Sequence, residues 1–111
     1  MEDALQVTFK GIEHSSAVEQ ACGKYFEKLA KLTNRIVSCH VVVSGRDEDR
    51  TNKFHSYHLT LNVPGTEIVI TNDSGEVHTG EEDRRALRET FERARHRLDE
   101  FLERRRDRER A

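Results

Sequence analysis

The sequence predicts an α/β two-layer sandwich of order β-α-β-β-β-α, a four-stranded mixed sheet with two helices on one face. Four segments alternate apolar and polar residues with period two, and two longer ones space their apolar residues at three and four. A Pro-Gly pair joins the third and fourth strands. A chain of 111 residues has room for one such core.

In the first segment, LQVTFK, Leu5, Val7 and Phe9 alternate with Gln6, Thr8 and Lys10, the pattern of a half-buried strand. Gly11 ends it. Ser15 or Ser16 offers a hydroxyl to cap the helix that follows, with Glu19 three residues beyond Ser16 as a capping-box partner. Val18, Cys22, Tyr25, Leu29 and Leu32 form its buried stripe beside Ala21, and the periodicity carries it to Thr33 or Asn34.

The second strand covers Ile36 to Ser44, with Val37, Cys39, Val41 and Val43 on one face and Ser38, His40 and Val42 on the other. GRDEDRTNK, Gly45 to Lys53, follows neither period and reads as a charged loop. The third strand, Phe54 to Val63, directs Tyr57, Leu59, Leu61 and Val63 inward. Pro64 and Gly65 turn the chain, so that Glu67 to Thr71 returns antiparallel with Ile68 and Ile70 toward the core.

Asn72 to Thr79 reads as a turn-rich loop with a short irregular extension through Glu76 to His78. Thr79 or Gly80 then precedes Glu81, Glu82 and Asp83, which suit a first helical turn because carboxylates there meet unpaired amides. The stripe of this last helix is Leu87, Phe91, Ala94, Leu98, Phe101 and Leu102. Nothing apolar follows Leu102 until Ala111, so the domain is expected to span 1–102, with 103–111 a charged, flexible tail. The outer sheet face would carry Gln6, Thr8, His40, His58, Thr60 and Glu67, polar enough to meet water.

Several function classes are disfavoured. Cys22 and Cys39 alternate with the core, and the first residues form no secretory leader, which predicts reduced thiols in a cytoplasmic chain. No run of eighteen apolar residues predicts a membrane span. His40 and His58 share the open sheet face in adjacent strands near Glu67, the one place for a metal or acid–base pair, yet no HExxH or CxxC spacing accompanies them. His14, His55 and His78 are expected in solvent. The expectation is a non-enzyme with no cofactor and no small-molecule substrate.

The 19 basic and 21 acidic residues leave a net charge of -2, an average that conceals their distribution. At 100° per residue, Lys24, Lys28, Lys31 and Arg35 fall within about 60° on one flank of the first helix, opposed by Glu19 and Glu27. On the second helix Arg93, Arg97 and Arg104 share one flank; Arg84, Arg88 and Arg95 take the other, mixed with Glu92 and Asp99. Glu89 with Arg93, and Glu100 with Arg104, have the spacing of intrahelical ion pairs. Side by side, the helices would face Lys24, Lys28 and Lys31 toward Arg93 and Arg97 across a groove suited to A-form RNA, which is recognised through backbone and shape. Such rows are elsewhere plain solvated faces. The exposed sheet edges support a different reading, a protein-interaction or homodimerising module.

Three strings carry a resemblance over roughly residues 4 to 102. GIEHSSAVEQACGKYFEKLAKL is similar to a polar turn and KL-containing basic helix, NVPGTEIVIT to a third-to-fourth strand hairpin, and EEDRRALRETFERARHRL to a closing helix of the short ribosome hibernation-promoting factors. These are also described as ribosome-associated inhibitors or sigma-54 modulation proteins of S30EA type. The resemblance implies that Lys24, Lys28, Lys31, Arg93 and Arg97 are groove residues, with Glu82 the acidic helix start, Ala86 and Leu87 its Ala-aliphatic pair and Leu98 its late Leu. Arg35, Arg84 and Arg88 complete the expected contact set.

It further implies binding to the small ribosomal subunit and its 16S rRNA, in the channel used by messenger and transfer RNA, so that idle ribosomes stay inactive. The chain departs from the family where Arg84 or Arg85 replaces an aromatic residue and where DSGEVHTGEED is longer and more acidic. Several lysine positions of the closing helix are absent or acidic, and no ribosome-pairing C-terminal domain follows, as in the short type.

Overall fold

A computed structural model of the chain describes residues 4–47, 53–77 and 80–110, with side chains at 4–45, 55–73 and 82–108. The elements are β1 (Leu5–Lys10), α1 (Ser16–Ala30), β2 (Ser38–Asp47), β3 (Lys53–Val63), β4 (Thr66–Val77) and α2 (Gly80–Arg110). The sheet order is β1-β2-β3-β4, with β1 parallel to β2 and the other pairs antiparallel. This is the expected topology. One core joins Val18, Cys22, Phe26 and Leu29 of α1 and Leu87, Phe91, Ala94 and Leu98 of α2 to Val41, Tyr57, Leu59, Leu61 and Ile70 of the sheet.

Ser15, not Ser16, caps α1: its hydroxyl accepts the Val18 amide at 3.2 Å. The capping-box position therefore belongs to Val18, and the Glu19 carboxylate bonds the His14 ring instead. The helix also ends earlier than the periodicity suggests. Lys31 is its C-cap, the Leu32 amide bonds the Leu29 carbonyl at 3.0 Å, and Leu32 is 38% exposed. Phe26, four residues on from Cys22 and outside the expected stripe, joins the core instead.

Val37 lies outside β2 and is 64% exposed, so the expected inward face begins at Cys39. The β2–β3 hairpin runs further than its side chains advertise. Gly45 pairs with His55, Arg46 with Phe54 and Asp47 with Lys53 inside the stretch expected as loop, because ladder bonds join backbone groups and are indifferent to charge.

β4 likewise continues to Val77. A register shift opposite His55 and Ser56 leaves Ser74 without a ladder partner, a bulge in the segment expected as an irregular loop.

Two glycines are required by geometry. Gly65 turns the β3–β4 hairpin with φ +88, and Gly11 has φ +73 with space for a Cβ blocked by the Gly45 carbonyl oxygen at 2.4 Å.

Two polar residues enter the core together. Asn72 Nδ2 donates to the Ala86 carbonyl at 3.1 Å and to Thr90 Oγ1 at 3.2 Å, and the Thr90 hydroxyl donates to the same carbonyl at 2.8 Å. This satisfied pair fixes β4 against α2 at one rotation. Beyond Leu102, α2 remains helical to Arg110; its 31 residues extend about 46 Å, most of the 57 Å length of the molecule.

Candidate functional site

The rotation of each helix decides which cations meet. Tyr25 of α1 lies against Phe91 of α2, ring centroids 5.5 Å apart, and Lys28 Nζ stands 5.9 Å from the Tyr25 ring centroid. Phe91 therefore marks the α1-facing flank of α2, while Ala86 and Thr90, bonded to Asn72, mark the β4-facing flank. Arg84 is seven residues before Phe91 and shares its flank. Arg93 and Arg97 are seven residues after Ala86 and Thr90 and share theirs.

The expected pairing of the α1 lysines with Arg93 and Arg97 is thus corrected. Lys24, Lys28, Lys31 and Arg84 line one interhelical hollow of about 510 Å³, together with Ala17, Gln20, Ala21, Tyr25 and a single carboxylate, Glu27. The alanines keep that stretch of α1 shallow, and all four cations are exposed. Arg93 and Arg97 line a different hollow of about 450 Å³ with Ile70, Glu89, Glu92 and His96, on the β4 side. Arg35, past the end of α1, lines a third, of about 270 Å³, with Leu32, Leu102, Arg105 and Arg106.

Arg88 sits one turn on from Arg84, at 3.7 Å from Glu92, and Arg95 lies 3.9 Å from Asp99. Both pairs are solvent-exposed and of the i,i+4 kind, worth only about 0.3–0.5 kcal/mol, so neither arginine is firmly committed to its carboxylate. Glu100 meets His96 at 3.0 Å rather than Arg104. Among the described residues, no ion pair involves Lys24, Lys31, Arg93 or Arg97.

A partly buried cluster lies beside Arg84. Asp83, its neighbour, accepts the Tyr57 hydroxyl and is bonded to His55 Nδ1 at 2.6 Å, which fastens the first turns of α2 to β3. His55 is therefore not in solvent as expected: its side chain is 10% exposed. Burial, and next the hydrogen bond to Asp83, push the Tyr57 hydroxyl far above its ordinary pKa. Sequence reading assigned Asp83 only to the helix dipole, since nothing local ties it to residues twenty-six and twenty-eight positions away.

The open sheet face holds no joint histidine site. His40 Nε2 bonds Thr8 Oγ1 at 2.9 Å, toward β1, whereas His58 Nδ1 bonds Thr71 Oγ1 at 3.1 Å, toward β4. His78 lies outside the described residues, among which no group of three or more His, Cys, Asp or Glu is arranged to hold a metal.

Cys22 and Cys39 are free and buried; burial pushes each thiol up to about 12, with the Glu19 charge adding to Cys22 and Cys22 adding to Cys39. No helix among the described residues is long and apolar enough to cross a membrane.

No protein of curated function matches the chain in sequence. Its fold is similar to that of a ribosomal subunit interface protein from Coxiella burnetii, with a TM-score of 0.66 and 14% identity, covering 88% of this chain and 96% of that one. It is also similar to the N-terminal domain of Thermus thermophilus Protein Y, with a TM-score of 0.60 and 10% identity, covering 86% and 94%. Identities this low speak for the fold alone. The family model described as Sigma 54 modulation protein / S30EA ribosomal protein matches residues 5–110. A match that runs from the first strand to the end of the last helix takes in the whole fold, and the chain belongs to the sigma 54 modulation protein / S30EA ribosomal protein family.

Proposed function

We propose that the chain binds the small ribosomal subunit by gripping 16S rRNA phosphates in the groove lined by Lys24, Lys28, Lys31 and Arg84. Seated there it occludes the messenger and transfer RNA channel and holds idle ribosomes inactive, with no reaction catalysed. One observation carries the reading: four exposed cations from two helices converge on one hollow, on a body whose net charge is -2. A rigid pair of helices holds these charges in place before RNA arrives, so little ordering entropy is spent on binding. Arg84 offers a planar fork for two parallel phosphate bonds and the lysines act as point charges. Arg88 extends this contact along α2, and Arg35 prolongs it past α1. Arg93 and Arg97, on the opposite flank, meet a second RNA wall, as suits a body inserted in a channel rather than laid on a surface.

Co-sedimentation with small subunits, paired with cell-free translation, tests the reading. Lys24→Glu with Lys28→Glu should abolish both binding and inhibition in a chain that stays folded by circular dichroism, and Arg93→Glu with Arg97→Glu should weaken binding less. Undiminished binding by the lysine variant would overturn the groove assignment.

A second reading, a homodimer through β1, is favoured by a specific feature. β1 has a ladder partner on one side only, and an apolar hollow of about 700 Å³ lined by Leu5, Val7, Phe26, Ala30 and Ile36 lies beside it. A monomeric mass at micromolar concentration by light scattering would dispose of it.

A further inference from the structure

The far ends of the two helices hold a group of arginines outside the groove. Arg35 leaves α1 after its C-cap, where the Thr33 hydroxyl accepts the Arg35 amide at 3.1 Å. It shares its hollow with Arg105 and Arg106 of α2, around Leu32 and Leu102, and no acidic residue among those described lines that hollow. Arg105 is seven residues beyond Leu98, in phase with the core stripe, and is half-buried rather than projecting into water. Arg106 is four residues beyond Leu102, on the flank that Arg84, Arg88 and Arg95 occupy, and is exposed. Arg35 and Arg105 are each held by further contacts, so the cluster is positioned.

Neither the helix dipole nor apolar packing by itself calls for three guanidinium groups here. The C-terminal dipole of α1 welcomes a cation in its last turn, but Lys28 already occupies that turn and Lys31 the cap. Apolar packing around Leu32 and Leu102 would be served better by uncharged residues, since like charges repel across a small hollow.

We infer that Arg35, Arg105 and Arg106 form a second phosphate site, which takes the backbone of the same RNA strand where it runs past the end of the groove. The inference rests on the proposed RNA contact and adds residues beyond Leu102 to it. Guanidinium groups suit a phosphodiester because each presents paired donors to two phosphate oxygens, and Arg35 continues the Lys24–Lys28–Lys31 row toward α2.

The test is the salt dependence of small-subunit binding by the full chain, compared with Arg105→Ala plus Arg106→Ala and with the groove variant Lys24→Glu plus Lys28→Glu. The arginine variant should lose affinity at fixed salt, and its slope of log K against log salt should be shallower by about 1 to 2. Arg105→Lys with Arg106→Lys should recover the slope but only part of the affinity. Where the alanine pair shortens α2 by circular dichroism, Arg106→Glu alone, an exposed change, reads the same contact. Wild-type slope and affinity in the arginine variants, alongside lost binding in the groove variant, would overturn this inference and leave the groove standing. No binding by the wild-type chain would overturn both.

Discussion

Asp83 is a residue on which two contacts from far along the chain converge. It takes hydrogen bonds from β3 through Tyr57 and His55 while sitting in the opening turns of α2. Removing the carboxylate takes the side-chain acceptor from a fully buried hydroxyl and a mostly buried imidazole at once, leaving the hydroxyl only the longer bond to the Asp83 carbonyl at 3.4 Å, whereas removing the Tyr57 hydroxyl leaves Asp83 still bonded to His55. Asp83→Ala should therefore cost about 2–3 kcal/mol and Tyr57→Phe about 1 kcal/mol in urea unfolding. Equal losses would show that the hydroxyl, not the carboxylate, holds the junction.

The two cysteines set a pH dependence of definite sign. Each thiol is raised from 9.0 to about 12 in the folded chain, so between those values the unfolded chain has released protons that the folded one retains. Their contribution to stability is complete below about pH 9 and is lost as pH rises toward 12. Tyr57 acts in the same direction. Unfolding midpoints should fall across this window, less steeply in a Cys22→Ala, Cys39→Ala chain, and both thiols should resist alkylation at pH 8 until urea unfolds the protein.

At the scale of elements, the strands are tied by contacts that tolerate no bulk. A Cβ at Gly11 would stand 2.4 Å from the Gly45 carbonyl oxygen at a backbone angle that side chains rarely adopt. Gly11→Ala should cost at least about 1–3 kcal/mol from the backbone conformation alone, seen as a lowered Tm. Helix α2 divides into two regimes. Its span from Ala86 to Leu98 is buried against the sheet, while from Glu103 onward it is charged on every face, and Arg104 with Arg108 places like charges one turn apart. Amide hydrogen exchange should release 103–110 well before 86–98; uniform protection along α2 would contradict this division.

Across the whole molecule, the net charge of -2 is an average, and the proposed RNA contact depends on how the charges are distributed. Cations gather in the interhelical hollow and at the helix ends, while Glu92 and Asp99 are paired locally with Arg88 and Arg95. Small-subunit binding is expected to weaken steeply as salt rises, because each neutralised phosphate releases a counterion.

The amino-acid order by itself determined the topology, the inward faces of β2, β3 and β4 and the lysine row of α1, since all of these are periodicities along one chain. It did not show where β2 and β4 end, because a backbone ladder forms as readily at Arg46 and Glu76 as at Val43. Nor did it show which arginines of α2 face the lysines. Its two flanks carry comparable charge, and the choice between them rests on Tyr25 packing against Phe91 and Asn72 bonding Ala86 and Thr90. Only tertiary contact sets the rotation of a helix, and that rotation put Arg84 in the groove and left Arg93 and Arg97 on the far side.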